Sequence, residues 1–177
     1  MIDRFRTLPM ARSAILAGRT LSDALSSVQC GTIVMLTGLA IGWRPGHGMA
    51  GAIAGLAVAV LFAYALSWFT ACLGLLSQGP EAAQATGLLV LFPIAFVSSA
   101  FVPTQGLPHW LRVVAEWDPV SAVAGSCREL FGNPDPARLA GGFPAEHPVL
   151  LAVLWSAVIL AVCAPLASAL LHRRTTD

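Results

Sequence analysis

The sequence predicts an all-α, polytopic membrane protein with about four transmembrane helices and an external re-entrant helical segment. Hydrophobic residues make up 56% of the 177 residues and charged residues 11%, and the mean hydropathy is +0.75. This composition is far more apolar than that of soluble globular domains. Four long stretches hold essentially no charged residue, and the third continues directly into two short amphipathic segments that begin at prolines.

The four apolar stretches approach or exceed the roughly 20 residues that an α-helix needs to cross the hydrocarbon core of a bilayer. They predict transmembrane helices at Leu25–Trp43, Gly48–Leu76, Ala82–Val102 and Pro148–Leu171. The segment after Met1 is of mixed polarity and carries several arginines, so we expect no cleavable signal peptide. An even number of spans puts both termini on the same side of the membrane.

The arginine distribution predicts which side that is. Four arginines precede the first span, and Arg173 and Arg174 follow the last. Because arginines close to the ends of spans mark the cytoplasmic side, both termini are predicted to be cytoplasmic. Arginine in place of lysine and abundant alanine are typical of GC-rich bacterial genomes, which favours the bacterial plasma membrane.

Between the third and fourth spans, residues 103–147 are predicted to form an external helical lid. Apolar side chains continue at helical spacing beyond the third span, where an ordinary loop would turn polar. Pro108 is expected to start one lid helix, and Asp118 as N-cap with Pro119 in the first turn is expected to start a second, which Gly132 ends. The residues predicted to characterise the lid are Trp110, Arg112, Glu116 and Trp117.

Residues 1–24 are predicted to be a cytoplasmic coupling segment, followed by three spans in residues 25–102, the lid, and the last span with its tail in residues 148–177. The start of this segment combines apolar anchors and charges ahead of a helix-breaking proline, a compact knob that suits docking into a cleft of a partner protein. Arginines facing anionic lipid are the alternative explanation. The residues expected to contact the partner are Asp3, Arg4, Phe5, Arg6, Leu8 and Pro9.

The sequence argues against catalytic and metal-binding roles. The chain contains no lysine, which excludes a P-loop and Schiff-base chemistry, and it contains no G-x-S-x-G motif. His47, His109 and His147 stand apart from other ligand types, and the cysteines have neither metal-ligand nor redox spacing. We therefore expect no catalytic residue, metal or cofactor on this chain, and we predict that it is not itself an enzyme.

Two motifs resemble a known family. The run RFRTLPMARSAILAGR at Arg4–Arg19 looks like the coupling segment of type 2 ABC exporter permeases, especially the drug-resistance permeases of the daunorubicin-resistance kind. The run FPIAFVSSAFVPTQGLPHWLRVVAEWDPVSAV at Phe92–Val123 is similar to the signature that ends their fifth span and opens the external lid. Such permeases usually have an amphipathic helix and two further spans ahead of the coupling segment, whereas this chain begins inside that segment.

The resemblance implies a permease subunit of an ATP-driven exporter that moves amphipathic drugs, antibiotics or lipid-like molecules. It implies pairing with a second permease subunit, identical or related, and with cytoplasmic ATP-binding subunits that carry ATP and Mg²⁺; no nucleic-acid partner is expected. The pathway is expected near the proline-interrupted third span, although packing or lipid contact is the commoner role of such residues. The candidate pathway residues are Phe92, Phe96, Ser98, Ser99 and Phe101.

Other interpretations belong to different classes of protein. A helical membrane scaffold or assembly protein, or a non-functional permease fragment, would also explain an apolar chain that lacks the upstream spans. The run that contains the lid has no obvious purpose in a simple scaffold, which favours the permease. An ion-coupled carrier is disfavoured because the spans hold almost no ionisable side chain for proton or sodium coupling.

Overall fold

The computed structural model describes residues 12–77, 79–98, 108–133 and 142–174, and within them every regular element is an α-helix. The predicted contacts Asp3–Pro9, as well as Ser99 and Phe101, lie outside the described residues. The all-α prediction is confirmed for the described part of the chain. Its helices are α1 (Arg12–Ala40), α2 (Gly48–Leu76), α3 (Pro80–Val97), α4 (His109–Trp117), α5 (Pro119–Phe131), α6 (Phe143–Glu146) and α7 (Pro148–Arg174).

Among the residues that the structure describes, two helices are long and apolar enough to cross a membrane, namely α2 and the Pro148–Leu170 part of α7. Helix α2 has the same bounds as the predicted second span. Helix α3 contributes the shorter apolar stretch Glu81–Val97, and α1 begins at Arg12, within the predicted coupling segment. Two of the four predicted spans are therefore confirmed as apolar helices of spanning length, and the other two stay predictions.

Helices α2 and α7 form the most extensive helix pair of the described structure. In the C-terminal halves of both helices, Cys72 is buried with Cys163 and Ala167, and the Cys72 thiol donates a hydrogen bond of 3.2 Å to the Cys163 carbonyl oxygen. Trp68 and Ile159 pack against this cluster. Small buried side chains let the two backbones approach closely, which is how helices associate in an apolar solvent.

Helix α5 packs against both α2 and α7. Its Ala122 is buried with Leu151 and Ala152 of α7, and Val58 of α2 packs against the same cluster. Val58 lies ten residues after the start of α2, which corresponds to about 15 Å along the helix. The N-terminal part of α5 therefore lies well inside the length of α2 and not at its end.

The predicted boundaries of the two lid helices are confirmed. Helix α4 starts directly after Pro108, and α5 starts with Asp118 as N-cap and Pro119 in the first turn. Gly132 ends α5 in the left-handed conformation, with φ of 71°. The amide of Asn133 donates to the Arg128 carbonyl oxygen over 2.9 Å, which completes a Schellman-type C-cap.

Candidate functional site

The junction between α4 and α5 is organised by the buried side chain of Asp118. Its Oδ2 accepts a hydrogen bond of 2.8 Å from the Ser121 backbone N–H, which satisfies one of the free donors at the start of α5. Pro119 follows in the first turn, where the missing N–H of proline has no cost. The sequence D-P-x-S therefore fixes both the turn and the direction in which α5 leaves it.

A serine pair connects this junction to the end of α3. Ser98, the C-cap of α3, is fully buried, and its hydroxyl lies 3.3 Å from the hydroxyl of Ser121 in a hydrogen bond. Ser98 is one of the predicted pathway residues, and the structure brings it to the buried start of the second lid helix. In a low-dielectric environment such a bond between two hydroxyls is costly to leave unmade.

Tryptophan residues hold the same junction to α7. The indole N–H of Trp155 donates a hydrogen bond of 3.1 Å to the backbone carbonyl of Trp117, the last residue of α4. The Trp117 ring also stacks on Phe143 of α6, with centroids 6.5 Å apart and an interplanar angle of 19°. Trp117, predicted as a lid residue, is thus held by contacts with α6 and α7, whereas Trp110 is 68% exposed.

The polar side of α4 carries the other two predicted lid residues. Arg112 Nε and Glu116 Oε1 form an ion pair of 2.8 Å with the favourable spacing of four residues. Val113 and Val114 are exposed, as are the tryptophans at the two ends of the helix. Helix α4 is therefore amphipathic, with an aromatic residue near each end, the composition of helices that lie at a membrane interface.

The C-terminal end of α5 is held by a glycine seam, formed by Gly46, Gly51, Gly55 and Gly132. A Cβ on Gly51 would overlap the Leu130 carbonyl oxygen, and one on Gly55 would lie 2.5 Å from Phe131 Cε1. Gly46 donates its amide to the Phe131 carbonyl over 2.8 Å. Helix α5 thus rests directly on the backbone of α2 and of the loop before it.

A hydrogen bond and a ring contact reinforce the glycine seam. The thiol of Cys127 donates to the Gly55 carbonyl oxygen at 3.7 Å, and the ring of Trp43 meets that of Phe131 edge to face at 5.2 Å. Burial raises the pKa of the Cys127 thiol, so the neutral form is favoured. Helix α5 is therefore held at both ends, by the glycine seam at one end and by the Asp118 junction at the other.

The predicted pathway phenylalanines lie on a different surface. Phe92 and Phe96 contact each other on α3 with ring centroids 4.5 Å apart, and they are 59% and 54% exposed. They therefore face outward, while Ser98 at the end of the same helix faces the lid. The structure does not bring the phenylalanines and Ser98 together around one cavity of the described residues.

The buried carboxyl at the start of α5 is that of Asp118. Burial raises the pKa of the Asp118 carboxyl above its ordinary value of 3.8, and hydrogen bonds from Ser121 and the Val120 amide oppose the shift. Within residues 12–77, 79–98, 108–133 and 142–174, no three His, Cys, Asp or Glu side chains are grouped closely enough to hold a metal ion.

Known proteins resemble this chain over nearly all of its length. The profile of the family described as ABC-2 type transporter matches residues 1–131, which include α1 to α5. The chain belongs to the ABC-2 type transporter family. Over 166 residues it is 34% identical to the daunorubicin resistance ABC transporter permease protein DrrB1 of Streptomyces coeruleorubidus, an alignment that covers 94% of this chain and 56% of that protein.

A second relative of this ABC-2 family member is the probable doxorubicin resistance ABC transporter permease protein DrrC of Mycobacterium tuberculosis. The two are 25% identical over 168 residues, which cover 94% of this chain and 57% of that protein. The chain thus spans little more than half the length of the curated relatives that it matches. No solved structure matches it.

Sequence reasoning missed the small residues of α5 that let this helix fit between its neighbours. The buried face of α5 consists of Ser121, Ala122, Gly125 and Ser126, all of them small. This set recurs at helical spacing, a signal of close helix contact that was available in the sequence. Gly51 and Gly55 carry the same signal on α2, and the structure shows that they meet α5.

Proposed function

We propose that this chain is the membrane-embedded core of a permease subunit of an ATP-driven exporter. The observation that carries the proposal is the ABC-2 family match, which extends from residue 1 through the end of the second lid helix. The relatives named for daunorubicin and doxorubicin resistance support amphipathic drugs, antibiotics or lipid-like molecules as the substrate class. The bacterial plasma membrane, with both termini in the cytoplasm, is the proposed location.

In this proposal α4 and α5 form a re-entrant lid over the outer end of the pathway. The packing of Ala122 near Val58 supports this role, because that level lies about 15 Å from the start of α2, inside the span and not at its end. A polar junction at that depth needs internal partners, which Asp118, Ser121 and Ser98 give one another. The lid would then close the pathway towards the outside.

The substrate pathway is proposed to run along α3, where the assembled transporter would cover its exposed aromatic side. A second permease subunit, identical or related, would supply the opposite wall, so that Phe92 and Phe96 contact the substrate from one side. Large aromatic side chains give amphipathic molecules much contact area without fixed polar contacts. The proposed pathway residues are Phe92, Phe96, Ser99 and Phe101, whereas Ser98 is buried in its contact with Ser121.

The energy is proposed to come from a cytoplasmic ATP-binding subunit, which would bind ATP and Mg²⁺. The contact would be made by the knob at the N-terminus, where charged and apolar side chains alternate before Pro9. The proposed contact residues are Asp3, Arg4, Phe5, Arg6, Leu8 and Pro9. The permease itself would then contribute binding and conformational change and no covalent chemistry.

Transport in membrane vesicles tests the proposal. The chain, co-expressed with an ATP-binding subunit, should support ATP-dependent accumulation of a fluorescent amphipathic drug in inverted vesicles. Arg6→Glu should reduce drug-stimulated ATP hydrolysis without reducing membrane insertion, because it reverses a charge in the coupling knob. Arg44→Glu, in the exposed loop before α2, is the matched control and should have no effect.

A second pair of variants tests the pathway. Phe96→Ala and Ser99→Ala should each lower export of several amphipathic substrates when the protein level is unchanged. Unaltered export across all of them would remove these residues from the pathway. Normal drug-stimulated ATP hydrolysis by the Arg6→Glu variant would contradict the coupling role, and the absence of any partner-dependent transport would contradict the exporter itself.

A further inference from the structure

Two cysteines from different helices meet in the contact between α2 and α7. Cys72 is 4% and Cys163 is 8% exposed, and both are free cysteines of one buried cluster. The Cys72 thiol donates its hydrogen bond of 3.2 Å to the Cys163 carbonyl oxygen, and the two thiols lie within hydrogen-bonding reach of each other. This thiol pair belongs neither to the lid nor to the proposed pathway.

The packing of the two helices keeps the thiol pair together. Val58 and Ala152 share one cluster, and the contact of Cys72 with Cys163 lies 14 residues further along α2 and 11 residues further along α7. The helices therefore run in the same direction and stay side by side for roughly 17–21 Å. The hydrogen bond from Cys72 keeps the two Cα atoms within about 8 Å, and a disulfide spans up to about 7 Å. Rotation of the two side chains and a small approach of the helices suffice to join the sulfur atoms.

Only one layer of side chains covers the thiol pair. Cys72 lies about 6 Å before the last residue of α2, Leu76, which is 61% exposed. The apolar side chains packed against the pair are themselves only partly buried; they are Trp68, Phe69, Leu75 and Ile159. A small apolar molecule that is dissolved in the bilayer therefore has a short path to the sulfur atoms, and this path passes through apolar side chains.

We propose that Cys72 and Cys163 form a redox modification site, at which a lipid-soluble quinone oxidises the two thiols to a disulfide that joins α2 to α7. Two S–H bonds break and one S–S bond forms. The two electrons and two protons pass to the quinone, which leaves as the hydroquinone. A thiol reductant restores the two thiols by thiol–disulfide exchange.

The surroundings of the thiol pair select this chemistry. Two neutral thiols become one neutral disulfide, so the product places no charge in the apolar cluster. The reaction removes two hydrogen atoms and leaves no added group, so the cluster needs no cavity to accommodate it. An uncharged quinone crosses the apolar layer without loss of charge hydration, whereas a charged disulfide such as oxidised glutathione does not. The site is therefore selective for the lipid-soluble oxidant.

Oxidation of the full chain in nanodiscs tests the proposal. In a Cys30→Ala/Cys127→Ala background the pair supplies the only thiols. The oxidant is a fully substituted benzoquinone, which has no free ring carbon for addition of a thiol. The intact mass should fall by two hydrogen atoms, and peptide mapping should find α2 linked to α7 until a reductant is added. Oxidised glutathione at the same concentration should give about tenfold less linked peptide.

The other two cysteines provide the matched control. Cys30 is exposed on α1, whereas the Cys127 thiol bonds to the Gly55 carbonyl of α2. A Cys72→Ala/Cys163→Ala variant keeps only these two thiols and should form no internal disulfide. Cys72→Ser and Cys163→Ser, each made alone, should also abolish the linked peptide, with the thermal midpoint of each variant measured to verify folding.

Unfolding by sodium dodecyl sulfate is a second measurement. The disulfide joins residues that are 91 positions apart, so it constrains the unfolded chain, and the midpoint should rise on oxidation and return on reduction. Four outcomes would overturn the proposal: no linked peptide with the quinone, equal yields with oxidised glutathione, an internal disulfide in the control variant, and a lower midpoint after oxidation. No transport is measured, so a failure of the exporter proposal would leave this result intact.

Discussion

Replacing Gly51 by alanine should loosen the lid, because this substitution adds one methyl group at the tightest point of the glycine seam. The new Cβ would overlap the carbonyl oxygen of Leu130, a backbone atom that cannot rotate away, so α5 must shift as a whole. Overpacking of this kind costs about 1–3 kcal/mol. That cost corresponds to a factor of roughly 5–150 in the equilibrium between the docked and the undocked lid.

The control is Gly74→Ala on the same helix. A Cβ added at Gly74 would have no atom of a neighbouring described residue within 4 Å, so alanine there meets open space. Alanine is favoured over glycine in a helix interior by about 1 kcal/mol, and this gain is shared by both variants. The difference between the Gly51→Ala and Gly74→Ala variants therefore isolates the contact with α5.

Two assays measure the difference. Unfolding by sodium dodecyl sulfate in mixed micelles, followed by tryptophan fluorescence, should give a lower midpoint for Gly51→Ala than for Gly74→Ala. Alkylation of Cys127 in a background without the other cysteines should be faster in Gly51→Ala, because the thiol bonds to the Gly55 carbonyl only while α5 is docked. Equal midpoints together with equal alkylation rates would refute the packing of α5 on α2.

Two further substitutions probe the other end of α5. Burial raises the pKa of Asp118 in the folded state, so the folded state binds the proton more tightly than the unfolded chain does. The protonated carboxyl therefore adds stability at low pH, and this stability is lost as the pH rises through the folded-state pKa. In Asp118→Asn, which keeps the N-cap, the thermal midpoint in detergent should therefore rise less than in the unmodified protein as the pH falls from neutral towards 3.8, the ordinary pKa of the carboxyl. Parallel curves would exclude Asp118 as the group responsible. Trp155→Phe removes the hydrogen bond to the Trp117 carbonyl and should lower the free energy of unfolding by about 1 kcal/mol. Trp110→Phe, on the exposed face of α4, should lower it by almost nothing. Equal losses in the two variants would contradict a stabilising hydrogen bond at Trp155.

Local signals in the sequence predicted the individual helices well. Length and hydropathy identified α2 with its observed bounds, and Asp118, Pro119 and Gly132 identified the start and end of α5. Each of these signals, a cap, a fixed φ or a left-handed turn, depends on only one or two neighbouring residues. They can therefore be recognised in a single sequence. The start of the span at Leu25–Trp43 has no such signal, since α1 continues without a cap or break from Arg12.

Contacts between segments that are distant in the chain could not be predicted from the sequence. The spacing of Gly51 and Gly55 indicates a close helix neighbour, but a missing side chain does not specify which helix approaches it. The pairing of Ser98 with Ser121 likewise depends on how α3 and α5 end up side by side, 23 residues apart in the chain. Phe92 and Phe96 were predicted for a pathway from their residue type, and their exposure becomes visible only when the packing of α3 is known.

The two ends of α5 are held by different kinds of interaction, and this difference determines how the lid responds to change. The glycine seam depends on shape, so it tolerates a change of pH or charge and fails when a methyl group is added. The Asp118 junction depends on hydrogen bonds to α3 and α7, so it fails when a donor, an acceptor or a charge is altered. The 13 residues of α5 separate the two by about 20 Å, a distance at which stability effects add. A movement of α3 would therefore reach the lid through Ser98 and the N-terminal end of α5, while the glycine seam holds the other end against α2.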